Sequence, residues 1–174
     1  MKKYKQIIVA NWKMKLNVDE ATALSAELKD MLAKEPLADK KVVLCPSFLA
    51  MHDVANILKN SEISLGAQDA FYEEEGAFTG EVSPASLKEL GCDYIIVGHS
   101  ERRAMGEVDE LVGKKAQAVL ANNMIPIICV GETLEEYEAG NAKEVLARQV
   151  SKTLENLDNK YFIFFNKAYK TVEK

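Results

Sequence analysis

The chain has 174 residues, 48% hydrophobic and 28% charged, with a formal net charge of -5. That is the composition of one globular domain with a real core, and an acidic balance without a basic cluster argues against nucleic acid and anionic membrane surfaces as partners. No apolar run approaches the roughly 20 residues of a membrane span, and the opening MKKYKQIIVANWK turns polar too soon for a secretory signal, so a cytoplasmic protein without a membrane partner is expected.

Short β-rich apolar runs alternate with segments of helical period. The runs are QIIVA at 6–10, KVVLC at 41–45, ISLGA at 63–67, YIIV at 94–97 and PIICV at 126–130. Helices are expected over 19–34, 48–58, 84–90, 108–122 and 142–156. Leu24, Leu28, Met31 and Leu32 mark one apolar helix face, and Leu111, Lys115, Val119 and Leu120 a second with one charged interruption. Pro36 follows the first helix, Ser83 and Pro84 are a cap and first-turn proline for the third, and Thr133 precedes an acidic helix opening at Glu135 and Glu136.

Strict alternation of strand and helix predicts parallel βαβ units, and near-continuous apolar strands predict a sheet covered on both faces. The strands start about 30 residues apart, the spacing of a TIM (β/α)8 barrel, which predicts an incomplete barrel of about five βα units with a possible sixth strand. Cys45, Cys92 and Cys129 are widely separated and form no C-x-x-C pair, so they read as small buried residues rather than a disulfide framework or a zinc site. No metal or cofactor is expected.

The strand ends carry polar residues: NWKMK after the first, QDAFYEEEGAFTGEVSP after the third, GHSERR after the fourth and GET after the fifth. The carboxyl ends of parallel strands open onto one face, where α/β folds build their sites. An amide, an ammonium, an imidazole and several carboxylates converge there. Taken alone, His99 would read as a structural histidine, and His52, inside the helical pattern PSFLAMHDVANIL, as a surface or packing residue.

Together, NWKMK from Asn11, GAQDAFYEEEGAFTGEVSP from Gly66, YIIVGHSERR through Arg103 and IPIICVGETLEEYEAG through Gly140 resemble the triosephosphate isomerase family. The resemblance implies cofactor-free interconversion of dihydroxyacetone phosphate and glyceraldehyde 3-phosphate, a step of glycolysis and gluconeogenesis. Deprotonating a carbon beside a carbonyl needs a positioned base, and the enediolate needs donors in place before charge appears. By resemblance His99 is a neutral electrophile, Lys13 supplies fixed positive charge to phosphate and enediolate, Asn11 donates an amide hydrogen bond and Glu101 is a further site carboxylate. Asn11 and Lys13 are also the expected substrate-binding residues.

The 69–80 connection, DAFYEEEGAFTG, is too long for an idle turn; read alone it is an acidic loop. By resemblance it is an arm reaching a second subunit of a homodimer, with Thr79 and Glu81 at that interface and Met14 receiving it. Arg102 and Arg103 read alone as solvated charges; the resemblance implies instead an Arg102 to Glu81 ion pair. Trp12 and Cys129 read as core residues that the family places beside the site.

Beyond residue 160 the sequence reads KYFIFFNKAYKTVEK. Where the resemblance expects the glutamate base after strand six, counting from Lys160 places Asn166, with Phe165 before it and Lys167 after it. No glycine follows Gly140, so a lid and glycine-rich phosphate loops are not expected, and Glu173 is a poor substitute base. The expectation is a partial barrel over 1–160 and a non-homologous tail over 161–174, a truncated chain with exposed sheet edges that lacks turnover by itself. The alternatives are a non-catalytic fragment or interaction module, and, more remotely, another sugar-phosphate barrel enzyme.

Overall fold

A computed structural model describes residues 4, 6–155, 157 and 163–166. The order is β1 (Gln6–Asn11), α1 (Val18–Leu32), β2 (Lys40–Cys45), a 3-10 turn at Phe48–Ala50, α2 (Met51–Leu58), β3 (Ser64–Ala67), α3 (Pro84–Glu89) and β4 (Cys92–Val97). Then come α4 (Ser100–Ala104), α5 (Asp109–Ala121), β5 (Ile125–Val130), α6 (Leu134–Glu138), α7 (Ala142–Leu154) and β6 (Ile163–Asn166). Six strands pair in parallel in sequence order, β1-β2-β3-β4-β5-β6. Each next strand is reached by a helical crossover, the arrangement of an incomplete (β/α)8 barrel.

Alternation along the strands divides the core in two. Val42 and Leu44, Ile95 and Val97, and Ile128 and Val130 join α1, α2 and α5 in one cluster. Their neighbours Val43, Cys45, Tyr94, Ile96, Ile127 and Cys129 form a second cluster on the opposite face of the sheet. Each fully buried valine, leucine or isoleucine contributes about 1.5–3 kcal/mol. The three cysteines are free and buried, as read from sequence.

Local signals act where the sequence places them. Ser83 caps α3 through the Ser86 backbone N–H, with Pro84 in the first turn. Thr133 and Glu136 form a reciprocal capping box on α6. Asn17 and Glu20 form a second box on α1, three residues apart as the motif requires.

Four expectations need correction. β1 is not covered on both faces: it pairs only with β2 among the described strands, and Ile8 is 54% exposed. On α1 the buried positions are Ala21 and Ser25, with Leu28 and Leu32 packed against the core, whereas Met31 points outward. Ser25 is tolerated there because its hydroxyl donates to the Ala21 carbonyl at 2.8 Å. The buried face of α5 runs through Val112, Lys115, Ala116 and Val119, with Leu111 and Leu120 only half-buried. Lys115 is thus a core residue, and the direct ion pairs of Arg102 go to Asp69 and Glu107, with Glu81 acting on it as a further negative charge without a direct contact.

β6 supplies the possible sixth strand, and its register sets Asn166 opposite Val130. Asn166 therefore stands at the carboxyl end of its strand, level with the other site-bearing ends. Tyr161, Phe162 and Glu173 lie outside the described residues.

Candidate functional site

The candidate site lies at the carboxyl ends of β1 and β4. Asn11 ends β1, and two residues on, Lys13 adopts a left-handed backbone with φ 56°. For a residue with a Cβ that conformation costs about 1–3 kcal/mol and persists only where surroundings impose it. Two hydrogen bonds do so: the Lys13 N–H donates to Asn11 Oδ1 at 3.1 Å, and Gln68 Nε2 donates to the Lys13 carbonyl at 2.9 Å. Gln68 also donates to the Cys45 carbonyl at 3.0 Å, so one amide at the end of β3 ties the β1 and β2 exits together. Gln68 carries no expected role in the sequence; its only signal there is a polar residue directly after a strand.

At the end of β4, Gly98 turns the chain and His99 caps α4. The Glu101 backbone N–H donates to His99 Nδ1 at 3.2 Å. A nitrogen accepting that bond carries no proton, so the neutral ring holds its proton on Nε2 and offers it as a donor. The Glu101 carboxylate lies between two site residues: Oε1 meets Lys13 Nζ at 2.5 Å, and Oε2 lies 3.5 Å from His99 Nδ1. Asn11, Lys13, His99 and Glu101 are thus one connected group, although Lys13 and Glu101 lie 88 residues apart in sequence.

Beneath this group lies a buried charge cluster. Lys115 Nζ donates to both Asp69 carboxylate oxygens at 2.9 Å and to Glu107 Oε2 at 2.7 Å. Arg102 Nε meets Asp69 Oδ2 and Glu107 Oε2, both at 2.7 Å. Burial pushes the Glu107 carboxyl up, but hydrogen bonds from Lys115 and Arg102 outweigh it and hold the group below the usual range. For Asp69 burial prevails over Lys115, and the carboxyl is raised. Arg103 is not a solvated charge either: it donates to the Gly98 and Cys129 carbonyls and pairs with Asp109 at 2.5 Å.

The long connection after β3 is packed on itself and against α5. Phe71 packs against Tyr72 and Phe78 in tilted contacts at ring separations of 4.2 and 4.6 Å, and the Phe71 N–H donates to the Val82 carbonyl at 2.8 Å. Lys114 sits over the Tyr72 ring at 5.4 Å, and Asn122 donates to Glu74 Oε1 at 3.0 Å. Thr79 and Glu81 are exposed on this connection, and Met14 is 95% exposed beside Lys13. Trp12 packs against the core, while His52 is on the surface of α2 beside Asp53 and Asn56. Among the described residues no group of three His, Cys, Asp or Glu is arranged to hold a metal ion, and no helix is long and apolar enough to cross a membrane.

Comparison with known proteins gives the family. The profile of the triosephosphate isomerase family matches residues 6–169. The chain belongs to the triosephosphate isomerase family. It is 47% identical over 149 residues to triosephosphate isomerase of Roseiflexus sp. strain RS-1, covering 85% of this chain and 58% of that protein. The corresponding protein of Moorella thermoacetica is 48% identical over 153 residues, covering 87% and 60%, and that of Clostridium tetani 47% over 147 residues, covering 84% and 56%. The chain therefore spans less than two thirds of the length of these triosephosphate isomerases. The family match also runs through 161–169, into the stretch where sequence alone suggested a non-homologous tail.

Proposed function

We propose that this chain carries the electrophilic half of a triosephosphate isomerase site, acting on dihydroxyacetone phosphate and glyceraldehyde 3-phosphate in cytoplasmic glycolysis and gluconeogenesis. The observation that carries the proposal is the single linked group of Asn11, Lys13, His99 and Glu101 at neighbouring strand ends. Lys13 supplies positive charge to the phosphate and the enediolate oxygens, which compete with Glu101 for the same ammonium. His99 Nε2–H donates to the substrate oxygens, its tautomer set by the Glu101 N–H. Asn11 keeps Lys13 in its left-handed turn and offers its amide to the substrate.

Proton abstraction needs a carboxylate, and the residue at the end of β6 is Asn166. An amide does not take a proton from carbon, so this chain by itself binds enediolate mimics but does not turn over substrate. A homodimer contacting through Met14, Thr79 and Glu81 is part of the proposal; the nearly full exposure of Met14 supports it. A reading as a pairing module draws on one observation, the exposed isoleucines of the open strand β1.

The test measures 2-phosphoglycolate binding and isomerase turnover by the purified chain beside Lys13→Ala. Expected are binding by the parent, loss of binding in Lys13→Ala, and equal background turnover in both. A parent that fails to bind refutes the site; turnover above the variant's shows that another group supplies the base.

A further inference from the structure

We infer that Glu107 and Arg103 are positioning residues that jointly lock the Gly98 backbone and thereby aim His99; the inference rests on the reading of His99 as the electrophile. Gly98 leaves β4 with φ +70°, the left-handed region that side-chain-bearing residues avoid. A Cβ there would lie 2.8 Å from Val112 Cγ1, so the position is closed sterically as well. Glycine solves the turn but is the most permissive residue in the chain, and His99 hangs directly on it.

Two charged side chains remove that freedom. Glu107 Oε1 accepts the Gly98 N–H at 3.0 Å, and Arg103 Nε donates to the Gly98 carbonyl at 2.8 Å. The first bond holds the peptide plane before the glycine Cα, the second the plane after it. Because peptide units are planar, orienting both planes sets the two soft dihedrals between them. That second plane places the His99 Cα, and the Arg102 and Arg103 N–H groups, donating to the His99 carbonyl at 2.8 and 3.0 Å, hold the plane that follows it.

Both clamps are anchored elsewhere. The other oxygen of Glu107 is held by Lys115 and Arg102 at 2.7 Å each, and the Glu107 side chain is 3% exposed. The Arg103 guanidinium is fixed by Asp109 at 2.5 Å and by the Cys129 carbonyl of β5 at 3.2 Å. His99 is thus referenced to α5 and to the neighbouring strand rather than to the five-residue α4 alone.

The chain has two histidines, so imidazole nitrogen NMR reports His99 once His52 is assigned with His52→Gln. Glu107→Asp keeps a carboxylate but withdraws it by one methylene from Gly98, and Arg103→Lys keeps charge for Asp109 but loses the Nε donor. Each is expected to replace the single Nε2–H tautomer signature of His99 with an averaged or broadened one, to speed exchange of the Gly98 amide in Glu107→Asp, and to weaken 2-phosphoglycolate binding about ten- to a hundred-fold. Arg148→Ala, on the far side of Asp109, is expected to leave all three unchanged. The inference is overturned if both variants are folded by circular dichroism and match the parent in His99 signature and affinity. Should Glu107→Asp fail to fold, Arg103→Lys decides by itself. A parent that does not bind 2-phosphoglycolate removes the substrate reading, while the His99 spectra still decide the positioning.

Discussion

Replacing Lys115 by methionine removes a cation from the core while nearly conserving side-chain volume. The Lys115 side chain is 2% exposed, and its ammonium makes three hydrogen bonds to carboxylates whose own side chains are 9% and 3% exposed. The variant leaves Asp69 and Glu107 facing Arg102 alone. Breaking a buried ion pair by removing one partner costs about 3–5 kcal/mol, a large part of the ~5–15 kcal/mol that holds a domain folded. The sign with pH follows from the two carboxyls. Glu107 is depressed in the fold, so its contribution is present above its unfolded pKa and lost as pH falls through the folded one. Asp69 is raised, chiefly by burial, so its contribution has the opposite sense: full below its unfolded pKa and lost as pH rises through the folded value. Without Lys115 both carboxyls bind protons more readily, and the variant recovers by protonating them. The destabilisation is therefore expected to be largest near neutrality and to shrink toward about pH 4. Urea unfolding of parent and variant followed by circular dichroism at both pH values measures it. A loss below about 1 kcal/mol at neutral pH, the size of an exposed ion pair, refutes the reasoning.

Gly66→Ala would bring a Cβ to 2.6 Å from Cys45 Sγ and 2.8 Å from Val43 Cγ1. The inner face of the sheet has no slack there, and a loss of about 1–3 kcal/mol in urea unfolding is expected. All three thiols are pushed up by burial, Cys129 to about 11, Cys92 to about 12 and Cys45 further. As the thiolate is the nucleophile, iodoacetamide at neutral pH is expected to leave the native chain unlabelled and to modify all three in urea; labelling of the folded chain would contradict their burial.

Much of the fold was legible because its signals are local. Apolar runs bounded by helical period located the strands, and the caps at Ser83 and Thr133 act within three residues of themselves. The strand exits NWKMK and GHSERR marked the candidate site because parallel strands with helical crossovers bring all carboxyl ends to one face. What failed were statements about partners. Arg102 makes its direct contacts with Asp69 and Glu107 and feels Glu81 only as a further charge, since several carboxylates compete for one guanidinium and sequence order does not rank them. Gln68 escaped notice because its importance lies in two backbone carbonyls, from Lys13 and Cys45, that no side-chain pattern announces.

The sequence by itself determined the alternation of elements, the family, and which residue types gather at the strand ends, because periodicity and short motifs are written in neighbouring positions. Tertiary structure alone decided that Lys115 is a core residue rather than a charged interruption of a helix face. Helical period can place a lysine on the inward side of α5, but its burial is tolerable only when a carboxylate answers it. Two carboxylates answer it: Glu107, eight residues before it, and Asp69, 46 residues away on the loop after β3, a neighbour that only the folded chain supplies.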